Sequence, residues 1–348
     1  MTEPVKTVLV GLGARGRYWA QVMHAEPRCD VVAYVDPAAE ALERADASFG
    51  ARPGFTSLDA ALSQLEQVDA LVLATPPSGR EAQLRAACER GLPVLVEKPL
   101  ALDLNEAARF VALGESAGIP LMVGLNFRYL AVTVERMRLY REGVIGLPEF
   151  TRFTYERWRD GYRPGINRYP LTMEHPMLWE QSIHHFDLLR FAYGAEPETV
   201  ACQAWNPSWS MYAGETNVSA LFDFAGGLRA NYQGTWQSGW VTPGFEWRTD
   251  GTEGVVSQFD QFGDLRYARR GDPALTDVPL PPHEIWVTET AGLLRAFLAT
   301  LLDGAPLECS ARDHLGSLAM VEASIRASRD RRVVDVREVL HEALEAAA

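Results

Sequence analysis

Val8-Leu9-Val10-Gly11-Leu12-Gly13-Ala14-Arg15-Gly16 joins an apolar run to a helix expected from about Arg17, and its glycine spacing reads as a phosphate cradle. The first glycine allows a tight turn. The second lets a pyrophosphate approach the backbone, and the third lets the helix pack closely on the strand. Free N–H groups and the positive dipole end at the helix N-terminus favour the same anion, with Ala14 and Arg15 completing the loop. A second apolar run, Val31 to Val35, ends at Asp36, 20 positions after Gly16, where a carboxylate accepts hydrogen bonds from an adenosine ribose. That carboxylate repels a 2′-phosphate, and Pro37, Ala38 and Ala39 offer no group to welcome one. NAD is therefore the favoured cofactor, while Arg15 and Arg44 leave NADP open.

Outward from this stretch, strands are expected at 7–10, 31–35, 70–74, 94–96 and 120–123, with helical stretches between them. Strand and helix in alternation imply an α/β, doubly wound parallel sheet over residues 1–123. The helix at about 80–90 ends at Gly91, and Pro93 introduces the next strand. Near Pro148 the texture changes. Strand-like runs follow one another at about 149–157, 198–205, 217–224, 228–236, 244–249 and 254–259, with Gly226-Gly227 as a hairpin turn. Helices are expected at about 127–142, 175–193 and 286–303. Residues 124–348 thus read as a second, α+β domain with a mainly antiparallel sheet.

Composition narrows the function classes. The 348 residues fit two domains, each able to bury a core, and the 47% hydrophobic and 23% charged content is that of a globular protein. Thirty-three Lys and Arg against 46 Asp and Glu give a net charge of −13, which argues against nucleic acid or an anionic membrane as the main partner. Cys29, Cys88, Cys202 and Cys309 show no CxxC spacing, no secretory leader is evident, and no apolar run approaches a membrane span. A cytoplasmic protein with reduced, buried thiols is expected.

Ligands of an open parallel sheet sit at the carboxyl ends of its strands. Ala74-Thr75-Pro76-Pro77 ends one strand with an extended backbone suited to the nicotinamide side. Glu97-Lys98-Pro99 directly follows Val94-Leu95-Val96, and an ammonium there is a candidate acid/base or oxyanion-stabilising group. In Glu180-Gln181-Ser182-Ile183-His184-His185-Phe186-Asp187, helical spacing puts Glu180, His184 and Asp187 on one face, where a carboxylate would orient the imidazole. His185 is expected to pack structurally. No further ligand-spaced His or Cys completes a metal shell, so no metal is expected. Asn126, Arg128, Tyr155 and Arg163 are candidate substrate contacts, although Arg128 equally suits a brace. Arg152, Arg157, Arg159, Arg163 and Arg168 interleave with Tyr155, Trp158, Tyr162 and Tyr169, a pattern suited to a sugar ring bearing a carboxylate, although most of these residues read first as a solvated loop or subunit contact.

With GLGARG at 11–16, Asp36, ATPP at 74–77, VEKPL at 96–100, GLNFRY at 124–129, EQSIHHFDLLR at 180–190 and GTEG at 251–254, the chain resembles the glucose-fructose oxidoreductase and inositol dehydrogenase family over nearly its whole length. The resemblance implies a Rossmann domain, then a domain with a large open sheet whose face supports homodimers or homotetramers. It implies NAD(P)-dependent oxidation of a secondary hydroxyl of a sugar, sugar derivative or cyclitol, with Lys98 and His184 as the catalytic pair and Glu180 beside them. Inositol dehydrogenases carry Asp at the position of Glu180, and many relatives carry Gly at that of Ser182. Two other classes stay open: enzymes that retain NAD to epimerise, eliminate or cleave glycosides without net redox change, and a non-catalytic nucleotide or sugar sensor. A sensor would be expected to lose the Lys98 and His184 pair.

Overall fold

A computed structural model describes residues 3–161 and 168–347. Beginning the chain are β1 (Val5–Val10), α1 (Ala14–Ala25), β2 (Cys29–Val35), α2 (Ala39–Phe49), β3 (Gly54–Phe55), α3 (Leu58–Gln64), β4 (Ala70–Leu73), α4 (Arg80–Glu89), β5 (Val94–Glu97), α5 (Leu104–Ser116) and β6 (Leu121–Gly124). There follow α6 (Ala131–Arg141), β7 (Pro148–Glu156), α7 (Ile183–Tyr193), β8 (Pro197–Trp205), β9 (Asn217–Phe224), β10 (Arg229–Thr235), β11 (Gly244–Gly251), β12 (Gly254–Asp260), β13 (Gly263–Arg269) and β14 (Thr276–Asp277). The chain closes with α8 (Thr288–Asp303), α9 (Ala311–Asp330), β15 (Val334–Asp335) and α10 (Val336–Ala347).

Two compact units result: Met1–Tyr129 with His283–Leu315 and Ala343–Ala348, and Leu130–Pro282 with Gly316–Glu342. They are not collinear with a division at 123/124, because α8 packs on α1 and on the 3-10 turn Asn126–Tyr129. In the first unit a parallel sheet runs β3-β2-β1-β4-β5-β6, so the strand order reverses beside β1. β4, β5 and β6 are buried on both faces, which is why they read in the sequence as short unbroken apolar runs. Side chains cap several helices: Ser57 accepts from Ala60 N at α3, Asp103 from Glu106 N at α5, Ser310 from Asp313 N at α9 and Asp335 from Glu338 N at α10. α1 starts at Ala14, three residues before the sequence expectation, because extended Gly13 is itself the N-cap.

In the second unit the described residues form nine strands in the order β14-β13-β12-β11-β7-β10-β9-β8-β15, of which only β7 and β10 pair in parallel. Gly226 and Gly227, both at positive φ (+87° and +93°), make the β9–β10 turn, as their pairing in sequence suggests. One sheet face buries Phe153, Phe222, Tyr232 and Trp247 with Phe186 of α7. Phe150, Leu221 and Trp205, at alternate strand positions, remain exposed. The helix expected over 127–142 is broken at extended Leu130 (φ −58°, ψ 136°) into the 3-10 turn and α6. The four cysteines are free thiols, and burial pushes Cys29 up to about 11 and Cys202 up to about 12. Among the described residues no helix is long and apolar enough to cross a membrane.

Candidate active site

In the first unit the candidate groups stand at the carboxyl ends of adjacent strands. Gly11, at φ +92°, lies so close to the Ala74 carbonyl that a Cβ there would come within 2.9 Å of it, and a Cβ on Gly16 would collide with the Gly11 carbonyl. A Cβ on Gly13 would meet nothing within 4 Å. The loop is therefore sealed on its protein side and open at Gly13, at the N-terminus of α1, where no side chain caps the helix: the cradle a pyrophosphate requires. Asp36, at the end of β2, accepts from Leu12 N (2.7 Å) and Ala38 N (2.9 Å), fixing its carboxylate beside the cradle. Arg15 is held elsewhere. Its guanidinium donates from Nε (2.9 Å) and Nη2 (2.8 Å) to Glu97 Oε1, which also accepts from Trp19 Nε1 (2.7 Å). Arg15 further reaches Thr290 Oγ1 (3.3 Å) and lies near the rings of Trp19 and Trp286. Arg44 is exposed on α2. Glu97 is thus tied to the glycine loop, one residue before Lys98.

Thr75 Oγ1 donates to Gln83 Oε1 (2.9 Å), and Pro76 follows it in the loop after β4. That loop is joined to the one after β5 by Arg80, a residue with no motif to mark it in sequence. Arg80 is fully buried and donates to the carbonyls of Thr75 (2.6 Å), Leu100 (3.0 Å) and Pro99. Asn126 is buried and its Nδ2 faces Glu289 Oε1 at 3.5 Å. Glu289 also accepts from Trp286 N (2.8 Å) and lies 3.2 Å from His283 Nε2. Arg128 donates to Asp313 (2.7 Å), the bracing alternative for this residue.

In the second unit the expected continuous helix 175–193 is a π-helical turn, Met177–Ser182, running into α7. Ile183 N–H donates to the carbonyl of Leu178, five residues back. Glu180 sits inside this turn and His184 beyond it, so the α-helical spacing used to relate these two does not carry across, while His184 and Asp187 both lie in α7 and keep their three-residue relation. His184 and Asp187 are buried and Glu180 half-buried. Asp187 accepts from Ser317 Oγ (3.1 Å), which in turn accepts from Arg190 Nη1 (3.0 Å), and these bonds tie α7 to α9. His185 packs among Phe153, Tyr155 and Tyr232, as expected for a structural histidine. Burial, with help from the Arg157 charge, lowers its pKa to about 3.

Tyr155 is buried and donates to Gln181 Oε1 (3.0 Å), while Arg157 donates to Gln261 Oε1 (2.7 Å). The Arg159 guanidinium stacks over Trp236 at 4.3 Å, and Arg152 pairs with Glu246 (2.6 Å). Arg163 and Tyr162 lie outside the described residues. Sequence reasoning passed over His175, whose Nδ1 lies 2.7 Å from Glu215 Oε2. Burial works to lower its pKa, but Glu215, Glu174 and Glu322 outweigh it and raise it. Among the described residues no three His, Cys, Asp or Glu side chains converge to hold a metal.

Residues 5–125 match the model of an oxidoreductase family with an NAD-binding Rossmann fold, and residues 135–257 match the C-terminal domain of the same family. The chain is 28% identical over 349 residues to a D-apiose dehydrogenase of Paraburkholderia graminis, covering 97% of this chain and 91% of that one. It is 24% identical over 341 residues to an inositol 2-dehydrogenase of Rhizobium meliloti, covering 95% and 99%. The structure of an Agrobacterium radiobacter oxidoreductase in complex with NAD+, L-tartaric acid and magnesium shares the fold, with a TM-score of 0.86, 22% identity and coverage of 97% and 99%. With both family models in order along the chain, and with a glycine cradle and an Asp36 carboxylate shaped for NAD, this protein belongs to the glucose-fructose oxidoreductase and inositol dehydrogenase (GFO/IDH/MocA) family of NAD-dependent oxidoreductases.

Proposed function

We propose that the protein oxidises a secondary hydroxyl of a sugar, sugar derivative or cyclitol. The observation that carries this reading is the alignment of the glycine cradle, Asp36, Thr75 and Glu97-Lys98 at the carboxyl ends of β1, β2, β4 and β5, where an open parallel sheet holds its ligand. Bound NAD would supply the hydride-accepting carbon of the nicotinamide ring. Asp36 would take the ribose hydroxyls, Gly13 and the first turn of α1 the pyrophosphate, and Thr75 and Pro76 the nicotinamide side, with Glu97 locking the loop through Arg15.

Within this reading His184 accepts the proton of the reacting hydroxyl, and Lys98 hydrogen-bonds the same oxygen and stabilises its developing charge. Glu180 grips an adjacent hydroxyl or orients His184, and Asn126 and Tyr155 act through their buried bonds to Glu289 and Gln181. The relatives named a D-apiose and an inositol 2-dehydrogenase support a polyol substrate. The face carrying Phe150, Leu221 and Trp205 is proposed to join copies into a homodimer or homotetramer, since exposed apolar patches on sheets are rarely left in water. Light scattering that gave a monomer mass at every concentration would contradict that part.

The activity is tested by following NADH formation with a panel of sugars, sugar acids and cyclitols. NADH with at least one polyol is the expected result. No NADH from any of them, together with NAD that stays bound through purification, would overturn the reading in favour of chemistry without net redox change.

A further inference from the structure

We propose that Tyr155, Gln181, His185, Tyr232 and Ser182 form a positioning device that fixes the π-helical turn and thereby sets the direction in which Glu180 and His184 are presented. The proposal rests on the catalytic reading of those two residues and adds a role for five side chains that touch no reacting atom.

The connections are continuous and buried. Tyr155 O–H donates to Gln181 Oε1 (3.0 Å), Gln181 Nε2 lies 3.1 Å from His185 Nε2, His185 Nδ1 lies 2.9 Å from Tyr232 Oη, and Tyr232 Oη lies 2.9 Å from Ser182 Oγ. Their chemistry fixes the proton positions. A carboxamide nitrogen only donates, so His185 Nε2 accepts. The ring, held neutral by burial, then carries its proton on Nδ1 and donates it to Tyr232 Oη. The phenolic proton of Tyr232 is left for Ser182 Oγ.

These bonds lie across a structural joint. Gln181 and Ser182 are the last residues of the π turn, and His185 is on the first turn of α7. The bonds of His185 to Gln181, and of Tyr232 to both Ser182 and His185, therefore staple the π segment to the α segment from two sides. A π turn is uncommon and holds only where its surroundings select it. Relaxing it to α would shift every preceding residue by one position, a rotation of about 100° about the axis. Glu180 would turn away from its present direction relative to His184. Tyr232 projects from β10 and Tyr155 from β7, so the device also ties the turn to the parallel pair of strands beneath it.

Tyr232→Phe removes a single oxygen on which two of the bonds converge, and Ser182→Ala is the milder companion should the first variant fold poorly. In the Tyr232→Phe protein, NMR shifts of Glu180 through His184 should move, and the His185 Nδ1 proton should exchange faster with solvent. Unchanged shifts from 178 to 184 would overturn the proposal whether or not a substrate is in hand. With a substrate, kcat should fall about tenfold while KM for NAD stays within about twofold, because the cofactor groups lie on other strands. Wild-type kcat in both variants would also overturn it. Absence of turnover by the unmodified protein would instead count against the catalytic reading and leave the NMR result to decide this one.

Discussion

The cradle after β1 and the turn before α7 hold their candidate groups by different means. Around the cradle, groups are anchored on main chain: Asp36 accepts from two backbone N–H groups, Gly11 and Gly16 nearly touch carbonyls, and the Arg80 side chain gathers three carbonyls of the loops after β4 and β5. Around His184, position depends on side chains stapling a π turn to an α-helix. Geometry anchored on main chain depends on few side chains, Arg80 among them, and leaves a spacing that can be read. Side-chain-fixed geometry is open to change one residue at a time, and its signature is scattered over β7, β10 and α7. One arrangement suits a cofactor of constant shape and the other suits a substrate that differs between relatives.

That contrast can be broken most sharply at the chemistry itself. Lys98→Ala and His184→Ala should each lower turnover by roughly 10²-fold or more, with NAD affinity by calorimetry essentially unchanged. Near-normal turnover in either variant would remove that residue from the mechanism. Next in size is Arg80→Met, which leaves buried carbonyls without a donor and should cost about 2 kcal/mol in denaturant unfolding. Unaltered stability would show that the loops after β4 and β5 hold without it. Asp36→Ala should then erode an NAD preference over NADP of about tenfold, or about 1.4 kcal/mol, in the ratio of kcat/KM values. A native protein using both cofactors equally well would contradict the role given to this carboxylate.

The smallest effect sharpens the side-chain half. His175 has its pKa raised by Glu215, Glu174 and Glu322 against the opposing effect of burial, and Glu215 has its own lowered, first by its hydrogen bond to His175. The His175 contribution is complete below the unfolded value of 6.5 and is lost as pH rises through the raised value. The Glu215 contribution is present above its unfolded value of 4.5 and is lost as pH falls through the lowered one. Denaturant midpoints of His175→Ala against the unmodified protein should differ by less than about 1 kcal/mol near pH 6, and the difference should shrink in alkali. A difference that grew with rising pH would reverse the assignment.

Much of the first sheet was legible because its strands are buried on both faces, and an unbroken apolar run such as Val94-Leu95-Val96 has few other uses. β3, β14 and β15, of two residues each, leave no pattern, and β13 carries Asp264, Arg266 and Arg269 near the sheet edge. The π turn was invisible for a sharper reason: periodicity registers a helix and not one extra residue within it. Glu180 and His184 were picked out by residue type, but their shared face was inferred from a spacing the turn does not obey. Arg80 looks like any helix arginine until its acceptors, 5, 19 and 20 residues away, fold around it. The return of His283–Leu315 to the first unit has no local mark either, since it is decided by what α8 meets.

The most direct test measures kcat and KM for NAD side by side in Asp36→Ala, Lys98→Ala and His184→Ala with one productive polyol. A division of labour predicts that Asp36→Ala raises KM for NAD by about tenfold and largely spares kcat, whereas the other two lower kcat by roughly 10²-fold and leave that KM in place. If Asp36→Ala lost kcat as severely as the others, or if Lys98→Ala and His184→Ala acted mainly on KM for NAD, cofactor binding and catalysis would not be separated as described.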